Sequence, residues 1–194
     1  MMTSLPNLLT LSRIVAIPLV VATFYVDGAL ARWIACGLFV AAAITDWFDG
    51  YVARSRNQVS ALGRFLDPIA DKLLVAAVLL MLVAFDRVSP ASVLPALVIL
   101  LREILVSGLR EFLAEIRIGM PVSRLAKWKT AIQMVALPVL LVGDVGPHEL
   151  PVRLIGEICL WVAAVLTMVT GWDYLRSGLK HMRPDASSTS KAAS

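Results

Sequence analysis

The sequence predicts an all-α, polytopic membrane protein with six transmembrane helices. Three observations predict it. Hydrophobic residues make up 59% of the 194-residue chain and charged residues only 16%, too apolar a balance for a water-soluble domain of this length. The apolar residues fall into six runs separated by short polar turns, most of them near the roughly 20 residues that cross a hydrocarbon layer. Lys and Arg are shared unequally between the two sets of turns: Arg32, Arg87 and Arg153 fall on one side, and the other fifteen of eighteen on the opposite side. The positive-inside rule makes the basic side cytoplasmic, with both termini on it.

Residues 5–26 form the first span. Asn7, Thr10 and Arg13 recur at three-residue steps, so they share a helix face and either line a site or cap the helix. A signal peptide, with Ala29-Leu30-Ala31 as its cleavage site, is the rival reading. Pro18 splits the apolar core and the polar face has no place in such a peptide, which favours the span. Asp27-Gly28 is a turn. The second span runs over 31–44 and continues to Arg54. Its strictly apolar part is shorter than the roughly 20 residues a bilayer needs, so the helix carries Asp46 and Asp49 into the interface.

Residues 55–62 are polar and predict a short connection before a third span over 66–85, with Pro68 suited to its first turn. After a turn at 86–90, the fourth span covers 91–113. It holds Arg102 and Glu103 in mid-segment, read as an adjacent structural pair, and then Arg110 and Glu111. Residues 114–129 read as a basic connection broken by Gly119 and Pro121. The fifth span covers 130–142, a turn 143–151, and the sixth span 152–172. One domain over 1–183 is expected, followed by a disordered tail over 184–194.

The chemistry concentrates in residues 46–71. Asp46 and Asp49 are three apart, and Asp67 and Asp71 four apart, so each pair shares one helix face. Carboxylates at a membrane surface are costly unless compensated. Divalent cations are the obvious remedy, and oxygen ligands with no Cys or His nearby suit Mg²⁺ or Mn²⁺. Such a site polarises a phosphoryl group. Spacing alone leaves ion-coupled transport and structural pairing open, for example Asp46 with Arg54, or Asp67 or Asp71 with Arg64 or Lys72. Gly50, Ala53 and Gly63 leave space beside the acids, and nearby Arg and Lys suit phosphate groups.

Other functions find little support. Cys36 and Cys159 lie in apolar runs with no metal or disulfide spacing, and His148 and His181 have no ligand partners in sequence. The basic residues sit at helix ends, where membrane lipid and orientation explain them, so no nucleic-acid binding is expected.

Asp46, Asp49, Gly50, Ala53, Arg54, Gly63, Asp67 and Asp71 stand at the spacing of the signature of the CDP-alcohol phosphatidyltransferases, and the chain resembles that family. The resemblance implies six transmembrane helices, a cytoplasmic-side site, two divalent cations (Mg²⁺ or Mn²⁺) and a homodimer. It implies a reaction in which an alcohol attacks the phosphatidyl phosphorus of CDP-diacylglycerol and CMP leaves. By the same resemblance, Asp46, Asp49, Asp67 and Asp71 hold metal, Asp71 doubles as the catalytic base, and Gly50, Ala53, Arg54 and Gly63 surround the CDP moiety. Residues 6–14, 101–115 and 127–134 resemble the branch whose acceptor is glycerol 3-phosphate. That acceptor brings its own phosphate, for which Arg110, Lys127 and Lys129 are the expected partners, with Arg117 as a further candidate. Phosphatidylglycerol, an inositol phosphate or serine are the alternative acceptors.

Overall fold

The structure is a computed structural model that describes residues 5–56, 61–116, 123–147 and 149–182. Among them are six α-helices and no strand: α1 Leu5–Thr23, α2 Ala29–Arg56, α3 Ala61–Ala84, α4 Val93–Glu115, α5 Arg124–Val142 and α6 Val152–Met182. Short 3-10 turns at Pro90–Ser92 and Gly143–Val145 lead out of the α3–α4 and α5–α6 turns.

The helices form one bundle in which α5 packs on α6, α1 on α2 and α3, α4 on α6, and α2 on α5. Phe39, Val78, Leu82, Ile99, Leu137, Leu140, Leu141 and Leu160 are fully buried at its centre. The outside is also apolar. Leu94, Leu97, Leu101 and Ile104 of α4 are exposed at three- and four-residue steps, and so are Leu154, Ile158, Trp161, Val165, Met168 and Trp172 of α6. Such stripes would be an aggregation hazard in water and are the ordinary surface of a helix facing lipid tails.

Among the described residues, four segments are long and apolar enough to cross a membrane: Ala29–Asp46, Pro90–Glu115, Arg124–Val145 and Val152–Arg176. The expected six helices are present, but α1 and α3 fall outside that set. The apolar stretch of α1 covers Thr10–Thr23, and α3 carries Arg64, Asp67, Asp71 and Lys72 in its first half. The same two helices bring charge to the site.

Three boundaries differ from the sequence expectation. Helix α3 starts at Ala61, so Pro68 lies in its interior and not in a first turn. Neighbouring helices make an interior proline tolerable in membrane proteins. Helix α5 starts at Arg124, not near residue 130. Ser123 is its N-cap, with the Ala126 N–H donating to the Ser123 Oγ at 3.2 Å. Lys and Arg are good helix formers, so the basic run continues the helix. Helix α6 likewise runs past Trp172 to Met182. The tail from residue 184 lies outside the described residues, as do Arg117 and His148.

Candidate active site

Helix α2 is continuous from Ala29 to Arg56, so Asp46, Asp49, Gly50 and Ala53 follow in helical register near its end. Helix α3 places Gly63, Asp67 and Asp71 at successive four-residue steps near its start. The side chains of Asp49, Arg54 and Asp67 lie outside the described residues.

Asp46 and Asp71 are described in full. Asp46 forms an ion pair with Arg13 of α1. Arg13 is 2% exposed and the Asp46 side chain 44% exposed, so the pair has a sealed cationic side and an open anionic side. Asp71 is half-buried and lies in the electrostatic field of Asp46 and Glu103, countered by Arg13 and Lys72. Asp46 and Asp71 mark an acidic centre of hard oxygen donors, although among the described residues no group of three acids stands close enough to hold a metal ion. That donor set fits a divalent cation. Thr10 is buried beside Arg13, one turn earlier on the same helix, so this polar face of α1 turns inward toward α2 and α3.

A polar cavity of about 380 Å³ opens between α3 and α4, lined by Lys72, Arg102, Glu103, Ser107, Arg110 and Glu111. A second cavity of about 370 Å³ shares Lys72, Glu103, Ser107 and Glu111 and is otherwise mostly apolar, with Ile69, Leu73, Leu100 and Ile104 in its wall. A polar chamber thus adjoins an apolar one on the same seam. Lys72 donates to the Ser107 hydroxyl, which ties the residue after Asp71 to α4.

Behind the polar chamber lies a charged network. Lys129 of α5 is buried and paired with Glu103. Arg102 Nη1 contacts Glu103 Oε1 at 3.2 Å, as expected of that adjacent pair. Arg102 Nη2 donates to Thr170 Oγ1 at 3.2 Å, and the guanidinium lies 5.7 Å from the Tyr174 ring centre. Gly171 makes room for it, since a Cβ there would stand 3.1 Å from Arg102 Cγ.

Of the expected acceptor cations, Arg110 lines the polar chamber and is exposed. Lys127 is exposed on α5, and Lys129 is committed to Glu103. Lys72, Ser107 and Thr170 were not singled out as site residues by sequence reasoning. Lys72 had a signal, its place directly after Asp71. Thr170 had none, because its role depends on how α6 packs on α4.

A family model described as CDP-alcohol phosphatidyltransferase matches residues 3–169. The chain is 51% identical over 178 residues to a CDP-diacylglycerol–glycerol-3-phosphate 3-phosphatidyltransferase of Rickettsia bellii, covering 92% of this chain and 97% of that relative. It is 38% identical over 218 residues to the protein of the same name from Cereibacter sphaeroides, covering 94% and 98%. It is 44% identical over 149 residues to a cardiolipin synthase (CMP-forming) of Oryza sativa, covering 71% of this chain and 45% of that relative. With its helices, its acidic centre and its match over most of its length, the chain belongs to the CDP-alcohol phosphatidyltransferase family.

Proposed function

We propose that this protein transfers the phosphatidyl group of CDP-diacylglycerol to glycerol 3-phosphate, giving phosphatidylglycerophosphate and CMP. The observation that carries this reading is the 51% identity to a relative named for that reaction, extending over 92% of the chain. The transport alternative is set aside, because the family and the relatives are transferases by name.

The residues divide the work as follows. Asp46, Asp49, Asp67 and Asp71 would hold two divalent cations, Mg²⁺ or Mn²⁺, consistent with the family's dependence on such metals. When bound, these supply Lewis-acid polarisation and charge neutralisation at the pyrophosphate. Arg13 holds Asp46 from its sealed side. Asp71 accepts the proton of the acceptor hydroxyl, whose oxygen bonds to the phosphatidyl phosphorus as the bond to CMP breaks. Gly50, Ala53, Arg54 and Gly63 surround the CDP moiety. Arg110 and Lys127, with Arg117, neutralise the acceptor's phosphate. Lys129, the third expected partner, is spent on Glu103 and acts by fixing that network next to the chamber that Arg110 and Lys72 line. The apolar chamber alongside suits acyl chains.

The count of Lys and Arg supports a site and termini on the cytoplasmic side of the inner membrane. The exposed apolar stripes of α4 and α6 suit lipid or the second subunit of a homodimer. The rice relative favours one second reading, phosphatidylglycerol as acceptor. The test is CMP release by the purified protein from CDP-diacylglycerol with Mg²⁺ or Mn²⁺, with each acceptor in turn. Release dependent on metal and glycerol 3-phosphate is expected. Release with phosphatidylglycerol alone would transfer the assignment to the second reading.

A further inference from the structure

The face of the bundle opposite Asp46 and Asp71 carries a second concentration of charge, which the transfer reaction does not use. Arg32 stands on α2 fourteen residues before Asp46, about 21 Å away along the helix. Near it are Arg87, from the turn after α3, and Arg153, from the start of α6. These are the three cations that the sequence assigns to this side.

The partners of this cluster are unevenly shared. Glu157 accepts from the Ser89 N–H at 2.7 Å, the Ser89 hydroxyl at 2.7 Å, the Ser92 hydroxyl at 2.9 Å and Arg153 Nε at 3.3 Å. Arg153 Nη2 also donates to the Asp86 carbonyl at 3.3 Å. Arg87 has no such arrangement. It is 8% exposed, with its guanidinium 4.1 Å from the centre of the Phe24 ring. Its Nη1 is buried with no acceptor among the described residues. Arg32 Nη1 is likewise buried without an acceptor, and Asp144 Oδ2 at 3.9 Å is beyond hydrogen-bond distance. Gly143, held at φ +51, backs this nitrogen so closely that a Cβ would stand 3.1 Å from it.

Burial and the neighbouring Arg32 charge both push the Arg87 pKa down, yet a guanidinium does not shed its proton in a protein. Two cations in each other's field, each with a buried N–H that meets no acceptor among the described residues, are unfavourable as they stand. A carboxylate is the usual remedy, but Glu157 already accepts four hydrogen bonds, and Asp144, ion-paired with Arg32 at 3.9 Å and with Arg153 at 3.8 Å, stands too far from either for a hydrogen bond. The missing partner is an oxyanion with several acceptor oxygens, which two planar guanidinium forks bind well.

We propose that Arg32 and Arg87, with Phe24 stacked on Arg87 and Gly143 behind Arg32, form a phosphate-binding site on the face opposite the acidic centre. The phosphate belongs either to a phospholipid headgroup in that leaflet or to a free phosphate in solution. Tyr25, Val26, Leu30 and Trp33 are exposed around the α1–α2 turn, as expected of a rim immersed in lipid. A bound phosphate would join the end of α3 to the start of α2, beside the α5–α6 turn, and relieve the repulsion between the two arginines.

The test is thermal unfolding of the delipidated full-length protein in a neutral maltoside detergent. Inorganic phosphate and dioleoyl phosphatidylglycerol are added separately, with sodium chloride at matched ionic strength as reference. Arg87→Gln and Arg32→Gln are measured alongside. Ligand bound at the acidic centre acts equally on all three proteins, so only the difference between them counts. The wild-type midpoint should rise by about 5 °C near saturation, and at least half of that rise should vanish in each variant while CMP release is retained. A rise with inorganic phosphate identifies a free anion, and a rise with the lipid alone a headgroup. Equal rises in the wild type and Arg32→Gln, or no rise beyond chloride with either ligand, would overturn the proposal. Arg32 is partly exposed, so Arg32→Gln keeps the test decisive should Arg87→Gln fail to fold.

Discussion

Arg13 of α1 is paired with Asp46 of α2, and the pair is sealed on the arginine side and open on the aspartate side. A carboxylate held in this way has its negative charge balanced from the buried side while its own side chain reaches the open face. This is the arrangement by which outer partners orient metal ligands, and losing such a partner commonly costs about 10–100-fold in affinity or activity. Arg13→Gln should therefore lower CMP release by about that range and shift the Mn²⁺ titration to higher concentration. Arg13→Lys should recover part of both. The stability loss should stay below the roughly 3–5 kcal/mol of a fully buried pair, because Asp46 reaches solvent. An unchanged metal titration in Arg13→Gln would remove Arg13 from this role.

Asp71 answers to a different experiment. Asp67→Asn and Asp71→Asn should each abolish turnover while the protein stays in the membrane. Asn keeps the shape but loses both the charge that attracts a cation and the capacity to take a proton. Chelation of the wild type should also abolish CMP release, and either Mg²⁺ or Mn²⁺ should restore it. Full activity in either variant would require another base or another ligand set.

The legible part of the site was the part fixed by spacing along one chain segment. The continuation of α2 past its apolar stretch, and the placing of the four aspartates near the end of α2 and the start of α3, follow from helical period and bilayer thickness. The illegible part was pairing between helices distant in sequence. Asp46 offered Arg54 as a neighbour in sequence, whose side chain lies outside the described residues; a partner that the sequence did not suggest is Arg13, thirty-three residues away. Lys129 read as a free cation for a substrate phosphate, yet it is buried against Glu103. Neither pairing leaves a trace in local pattern, because each depends on which helix faces pack together. The start of α5 at Arg124 was missed for a local reason, a polar run mistaken for a loop despite the cap at Ser123.

Glu103 and Lys129 should behave as a unit. Lys129→Met leaves Glu103 with Arg102 alone, and Glu103→Gln leaves a buried ammonium facing an amide. The double variant should be less impaired than the sum of the single ones, with a coupling of about 0.5–3 kcal/mol read from unfolding midpoints. Additive effects would show that the pair contributes nothing beyond its separate members.

Arg110 should separate acceptor binding from chemistry. It is exposed and lines the polar chamber, and no ion pair holds it among the described residues. Arg110→Gln should raise the KM for glycerol 3-phosphate by about tenfold, the 1.4 kcal/mol expected of one charge-assisted contact. The KM for CDP-diacylglycerol should change little. A selective rise for CDP-diacylglycerol instead would place Arg110 on the donor side of the chamber.

The α5–α6 contact sets the frame for this network, and Gly156 packs closely against Leu140 within it. A Cβ added at Gly156 would stand 2.7 Å from Leu140 Cδ2 and Cγ and 3.2 Å from Val139 Cγ1. Leu140 is fully buried and cannot swing away without displacing its neighbours. Gly156→Ala should therefore cost about 1–3 kcal/mol through overpacking, even though alanine is the better helix former by up to about 1 kcal/mol. Gly37 is the contrasting case, because nothing lies within 4 Å of a Cβ added there. Gly37→Ala should leave the unfolding midpoint unchanged or raise it slightly. Thermal unfolding in detergent reads both. Gly156→Ala should also shorten the lifetime of activity on heating, since α5 carries Lys129 and α6 carries Thr170. A Gly156→Ala protein as stable as Gly37→Ala would mean that α5 and α6 have slack at this crossing, and Lys129 would then owe its position to Glu103 and not to helix packing.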